Sequence, residues 1–140
     1  MPKKILVADD EDNFLVLIKK ILTNAGFEVA VATNGKEVLE RIPEVRPDLI
    51  VLDINMPELD GFSVCEKVRQ SENEFTNIPI IFLTVRKRGE DKVEGLNLGS
   101  DDYITKPFDP EELVERINRV LDRTSPERMG TFRAGREELS

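Results

Sequence analysis

The sequence predicts an α/β fold: one domain with a doubly wound, five-stranded parallel sheet and helices on both faces. Three observations carry this. Short apolar runs alternate about five times with stretches of helical period. The runs Leu49-Ile50-Val51-Leu52 and Ile80-Ile81-Phe82-Leu83 are continuously apolar, as strands buried on both faces are, whereas half-exposed antiparallel strands alternate. Regular βα alternation of such strands requires crossover connections and so a parallel sheet. A length of 140 residues gives one full core and is too short for two ordinary domains.

Taken in order, the first strand is Lys4–Ala8. A helix over 12–25 follows, with Phe14, Ile18, Ile21, Leu22 and Ala25 on one stripe and Gly26 as its stop. The second strand is Glu28–Ala32 and the second helix 35–45. The third strand, Asp48–Asp53, leads to a helix over 60–70, in which Cys65 and Val68 share an apolar face. The fourth strand, Pro79–Thr84, tolerates its proline because that residue stands first. A fourth helix over 90–98 should be the least stable, since Gly89, Gly95 and Asn97 fall in or beside it and an interior glycine costs about 1 kcal/mol relative to alanine. The fifth strand is Asp102–Ile104. The last helix, 110–122, has the clearest start: Asp109 as N-cap, Pro110 at the first helical position, Glu112 three residues beyond the cap, then Leu113, Val114, Ile117, Val120 and Leu121. Residues 124–140 lose the apolar pattern, so the domain is expected over 1–123, with 124–140 a tail or the start of a linker.

Hydrophobic residues at 39% and charged residues at 34% fit a soluble globular chain. No apolar run approaches the roughly 20 residues that span a bilayer, and Ile5–Ala8 is too short for a signal peptide. A cytoplasmic location is expected. The lone Cys65 cannot form an internal disulfide and reads as a small buried hydrophobe rather than a reactive thiol. Histidine is absent, which excludes a Ser-His-Asp triad, a Cys-His dyad and His-ligated zinc. A net charge of -8 argues against nucleic acid or an anionic membrane as a partner of this chain.

Chemistry-bearing residues stand at the ends of the apolar runs: Asp9-Asp10 after the first, Asp53 after the third, Thr84 after the fourth and Lys106 after the fifth. In a parallel sheet all of them share the edge where open α/β sheets bind and react. Carboxylates about 4 Å apart repel by roughly 4 kcal/mol at an effective dielectric near 20, so such a cluster must be protonated, spread apart or occupied by a cation. Oxygen ligands alone favour a hard ion, Mg²⁺ or Mn²⁺ in its place. An ammonium and a hydroxyl at the rim supply donors for a phosphoryl oxygen, and an aspartate there is placed to act as nucleophile. The alternative for Asp9-Asp10-Glu11-Asp12 is an acidic first turn favoured by the helix dipole. For Lys106 the alternative is a structural ion pair.

The segments Ile5-Leu6-Val7-Ala8-Asp9-Asp10-Glu11, Leu52-Asp53-Ile54-Asn55-Met56-Pro57-Glu58-Leu59-Asp60-Gly61, Leu83-Thr84 and Gly99 to Phe108 together resemble, in order and spacing, the receiver domain of bacterial two-component response regulators over about residues 3–123. The resemblance implies the flavodoxin-like strand order 2-1-3-4-5. It implies that Asp53 accepts a phosphoryl group from a histidine kinase or histidine phosphotransfer protein. Asp10 and Asp53 would ligate Mg²⁺ by their side chains, Asn55 by its backbone carbonyl and Asp9 through water. Lys106 would bind a phosphoryl oxygen, Thr84 would move toward it, and Tyr103 would turn inward as an aromatic switch. The face of the fourth helix, fifth strand and fifth helix would then control an output domain or partner protein, or form a phosphorylation-dependent homodimer. Val85 stands where the family usually has a smaller residue, and with Arg86 it implies altered dephosphorylation kinetics.

Two other chemistries fit less well. A phosphatase resembling the haloacid dehalogenase class shares the aspartate nucleophile, Lys, hydroxyl and Mg²⁺, but there the acidic pair comes late, whereas Asp9-Asp10 precedes Asp53. A mononucleotide binder needs backbone and hydroxyl donors around phosphate, and Asp9-Asp10 would repel it. A receiver that has lost phosphorylation and serves only for docking remains the alternative within the family.

Overall fold

The computed structural model describes residues 2–85 and 99–124. Five strands, β1 (Lys4–Ala8), β2 (Glu28–Ala32), β3 (Leu49–Leu52), β4 (Ile80–Thr84) and β5 (Asp102–Thr105), form one parallel sheet in the order β2-β1-β3-β4-β5. Helices α1 (Asp12–Asn24), α2 (Gly35–Val45) and α3 (Gly61–Arg69) and a C-terminal helix (Pro110–Thr124) cover it. The expected helix over 90–98 and the segment after 124 lie outside the described residues. Among the described residues, no helix is long and apolar enough to cross a membrane.

Successive side chains of a strand point to opposite faces, so each continuous apolar run feeds two cores. Leu6, Ile50, Leu52, Ile80 and Phe82 pack with Val38 and Ile42 of α2 and with Phe62, Val64, Cys65 and Val68 of α3. Their neighbours Ile5, Val7, Leu49, Val51, Ile81 and Leu83 pack with Leu15, Ile18 and Leu22 of α1 and Leu113, Ile117 and Val120 of the C-terminal helix. Cys65 and Val68 are buried together, as their spacing predicted.

The helix ends follow from local chemistry. At the end of α1, Gly26 takes φ +97°, its N–H donates to Thr23 and that of Phe27 to Leu22, a Schellman closure. Asn34 caps α2 by accepting the Glu37 N–H at 2.8 Å, and Asp60 caps α3 by accepting the Ser63 N–H at 2.8 Å. Asp109 does the same for the C-terminal helix, accepting the Glu111 N–H at 2.9 Å. The stripe on α1 needs one correction: Ala25 is exposed, and Leu15 takes the buried place. A residue three after Leu22 lies beyond the last helical turn, where the chain already bends to Gly26.

Candidate functional site

The parallel register brings every chemistry-bearing strand end to one edge. Asp9 and Asp53 are pinned just past β1 and β3, because the Asp9 N–H donates to Ala32 (3.1 Å) and the Asp53 N–H to Ala8 (3.0 Å), each prolonging the strand ladder by one bond. Asp9 and Asp53 are buried, Asp10 is exposed, and carboxylate oxygens of all three lie within 4.8 Å of one another. Thr84 closes β4, fully buried. Pairing of β4 with β5 continues through the Lys106 N–H to Thr84 oxygen bond (2.7 Å), which turns the Lys106 side chain into the same crevice. Its ammonium lies 2.6 Å from Asp9 Oδ2 and 3.6 Å from Asp53 Oδ2. The acidic first turn and the ion pair, set out above as alternatives, are both present: Asp12 opens α1, Asp9 accepts the Glu11 N–H at 3.0 Å, and Lys106 pairs with Asp9.

Burial pushes the Asp53 carboxyl above its ordinary pKa. The Lys106 ammonium, the Thr84 hydroxyl that hydrogen-bonds it and the Asn55 N–H oppose that shift, while the Asp9 charge adds to it. Three carboxylates facing one ammonium leave an excess of negative charge when ionised. A divalent cation would balance it, and the donor set, all oxygen, suits Mg²⁺. The residues therefore fit the ion.

Two glycines hold the loop after Asp53 against the rest of the fold. A Cβ on Gly61 would meet the Asp53 carbonyl oxygen at 2.3 Å and Ile54 Cα at 2.8 Å; one on Gly35 would meet the Leu59 carbonyl oxygen at 2.0 Å. The first turns of α3 and α2 thus rest directly on this loop, and the Gly61 N–H donates to Ile54 at 2.8 Å. Asp60-Gly61 signals a helix start in the sequence, but close approach of two backbones leaves no pattern.

Tyr103 is buried, its ring 6.2 Å from that of Phe82, the residue it opposes across the β4–β5 pair. Thr84 lies two residues further along the same face. Arg116 holds the start of β5, donating to the Tyr103 carbonyl at 3.2 Å and to Asp102 at 3.3 Å. Val85 is 62% exposed and lines an apolar groove of about 450 Å³ with Phe14, Leu17, Phe108 and Pro110, beside Lys106. Arg86 lies outside the described residues. Phe14, whose place on an apolar stripe marks it only as core, puts its ring against the Lys106 ammonium, 3.8 Å from Nζ to centroid.

Comparison with known proteins agrees with this geometry. The family model for the response regulator receiver domain matches residues 5–118. The alkaline phosphatase synthesis transcriptional regulatory protein PhoP of Bacillus subtilis is 45% identical over 124 residues, which cover 89% of this chain and 50% of that protein. The chain spans about half the length of the curated relatives it matches. The receiver domain of the Francisella response regulator 1452 superposes with a TM-score of 0.82 at 41% identity, covering 88% of this chain and 99% of that one. The receiver domain of the sensor histidine kinase PA1611 of Pseudomonas aeruginosa PAO1, solved with a magnesium ion coordinated in its active-site cleft, gives 0.78 at 30% identity over 86% of this chain and 98% of that one. A family match over most of the chain, on a sheet of the expected strand order, makes this protein a member of the response regulator receiver domain family of two-component signalling.

Proposed function

We propose that Asp53 is the phosphoacceptor of a Mg²⁺-dependent phosphoryl transfer from a histidine kinase or histidine phosphotransfer protein, and that the chain catalyses only its own phosphorylation and dephosphorylation. The observation that carries this reading is the surround of one carboxylate. Asp53 has the Lys106 ammonium at 3.6 Å, a hydrogen bond from the Thr84 hydroxyl, and Asp9 and Asp10 within 4.8 Å. An Asp53 oxygen attacks phosphorus, the P–O bond forms as the donor's P–N bond breaks, and the electron pair leaves with the imidazole nitrogen. Asp10 and Asp53 would hold the cation by their side chains, Asn55 by its backbone carbonyl and Asp9 through water. Mn²⁺ would serve the same oxygen set. When bound, the cation supplies charge neutralisation at the incoming phosphoryl oxygens. Lys106 exchanges part of its bond to Asp9 for a phosphoryl oxygen, and Thr84 donates its hydroxyl to another.

The readout follows from the packing around these groups. Withdrawal of the Thr84 hydroxyl toward the phosphoryl group changes the space beside Tyr103, two residues back on the neighbouring strand, and Tyr103 acts as the aromatic switch. Residues 1–123 are assigned as the phosphoaccepting unit, and 124–140 as a tail or the start of a linker to an output domain. Control of that output is assigned to the face that includes β5 and the C-terminal helix, which also suits a phosphorylation-dependent homodimer; the fourth helix expected in that face lies outside the described residues. A cytoplasmic location, alongside the donor, is part of the same proposal. Val85 and Arg86 are assigned to the phosphoryl lifetime, which Val85→Ala and Arg86→Ala should change.

Intact mass after incubation with acetyl phosphate tests the central claim. Wild type with Mg²⁺ should gain one phosphoryl group, and Asp53→Ala or omission of the metal should abolish it. No adduct on wild type, repeated with a competent histidine kinase as donor, would leave a docking module that works without phosphorylation.

A further inference from the structure

Three groups lie against the Lys106 ammonium: Asp9 at 2.6 Å, Asp53 at 3.6 Å and the Phe14 ring, whose centroid is 3.8 Å from Nζ. The ring is itself fixed, standing edge-on to Phe108 at 6.0 Å and 81°. From this we infer that Phe14 is a positioning residue for Lys106: its π face sets where the ammonium stands between Asp9 and Asp53. The inference rests on the phosphoacceptor reading above.

The chemistry explains why an aromatic ring serves better than an aliphatic side chain of equal size. A lysine stem has four rotatable carbons, and an ammonium prefers water or a full carboxylate contact to a partial one. Without the ring, Asp9 alone would hold Lys106 firmly, the stem could turn to solvent, and its reach toward Asp53 would be lost. A ring face attracts a cation without directional demand, within about 6 Å of the centroid. The ammonium can therefore slide from Asp9 toward a group arriving on Asp53 while keeping that contact. Leucine would fill the same apolar space beside Leu17 and Phe108 but present no such face.

The test uses the full chain, Mg²⁺ and phosphoramidate, a donor too small to need a protein docking surface. Intact mass against time, at rising donor concentration, separates the maximal rate from the half-saturating concentration. Phe14→Leu should lower the maximal rate about fivefold, the effect of losing one partly desolvated cation–π contact. Phe14→Tyr and Phe14→Trp should keep the wild-type rate; if Leu does not fold, Phe14→Met takes its place. A Leu variant as fast as wild type overturns the inference, and so do Leu, Tyr and Trp variants slowed alike, since that pattern belongs to packing. Wild type forming no Asp53-dependent adduct would refute the phosphoacceptor reading instead. In that event NMR of the metal-free protein decides the inference on its own: Lys106 ε-methylene protons shifted upfield by the ring in wild type and Phe14→Tyr but not in Phe14→Leu uphold it, and unshifted protons in wild type overturn it.

Discussion

Alanine at position 61 would place its Cβ 2.3 Å from the Asp53 carbonyl oxygen and 2.8 Å from Ile54 Cα. Both are backbone atoms at the end of a central strand, so no side chain can rotate away, and the clash is relieved only by moving α3 or the loop that carries Asp53. Overpacking of this kind costs typically 1–3 kcal/mol. The shift also stretches the Gly61 N–H bond to Ile54, now 2.8 Å, which adds about 1 kcal/mol. Helix propensity works the other way, favouring alanine by at most about 1 kcal/mol at this first helical position. The last two contributions roughly cancel, so the net expectation is a loss of about 1–3 kcal/mol. Gly26→Ala is the control: its φ of +97° strains any side chain, yet nothing lies within 4 Å of the new Cβ, so only about 1 kcal/mol is lost. Urea unfolding measures both as shifts of midpoint at constant slope. Phosphorylation by acetyl phosphate, proposed for Asp53, should slow in Gly61→Ala and not in Gly26→Ala, because only the first displaces the backbone of Asp53. Equal effects of the two substitutions on stability and on phosphorylation would refute the claim that Gly61 is needed for close approach rather than for chain flexibility.

Three further outcomes follow from the structure. Burial raises the Asp53 pKa, so the folded metal-free protein holds that proton more tightly than the unfolded chain and loses stability as pH rises through the ordinary carboxylate range. Asp53→Asn should therefore be more stable than wild type at pH 7 without metal, with the advantage gone at low pH; Mg²⁺ should raise the wild-type melting temperature and raise that of the variant less. Arg69 donates to the carbonyls of Thr76 (2.9 Å), Ile78 (2.7 Å) and Gly99 (2.7 Å), tying the end of α3 to the turns before β4 and β5. Arg69→Met should cost about 2–3 kcal/mol in urea unfolding, and Arg69→Lys should not rescue it, since a single ammonium lacks the planar fork that spans three acceptors. Burial pushes the Cys65 thiol from 9.0 up to about 11, so native protein at pH 8 should react with a disulfide reagent at least about 100-fold more slowly than protein in urea. Stability should fall between pH 9 and 11, where the unfolded thiol ionises and the folded one does not.

What the sequence made legible was set by patterns that act along the chain. The runs that became β3 and β4 were readable because both faces of a central strand need apolar side chains, and their boundaries moved by only a residue: Asp48, Asp53 and Pro79 fall outside the strands and Thr105 inside β5. The edge position of Asp9, Asp53, Thr84 and Lys106 was readable for the same reason, since parallel strands put all their C-terminal ends on one side. Contacts that depend on how a helix sits over that edge were not. Phe14 falls on an apolar stripe whether or not a lysine lies above it, and Arg69 ends a helix whether or not its guanidinium reaches three carbonyls.

Lys106 shows why the bland and the functional reading of a residue need not compete. As an ion-pair partner it neutralises Asp9, a carboxylate only 2% exposed whose charge would otherwise be buried without compensation. That same pairing holds the ammonium within 3.6 Å of Asp53, about one contact short of it. An ammonium bonded fully to Asp53 would have to be stripped away before a phosphoryl group could attach, and one free in solvent would first have to be ordered. Paired with Asp9 and in contact with the Phe14 ring, it would have a short distance to move in the proposed transfer and an acceptor to return to once the phosphoryl group were lost. Replacing Asp9 by Asn should accordingly do more than weaken cation binding: it should let Lys106 settle on Asp53, so that added Mg²⁺, even at saturating concentration, fails to restore the wild-type phosphorylation rate. Full recovery at high Mg²⁺ would mean that Asp9 acts through the cation alone.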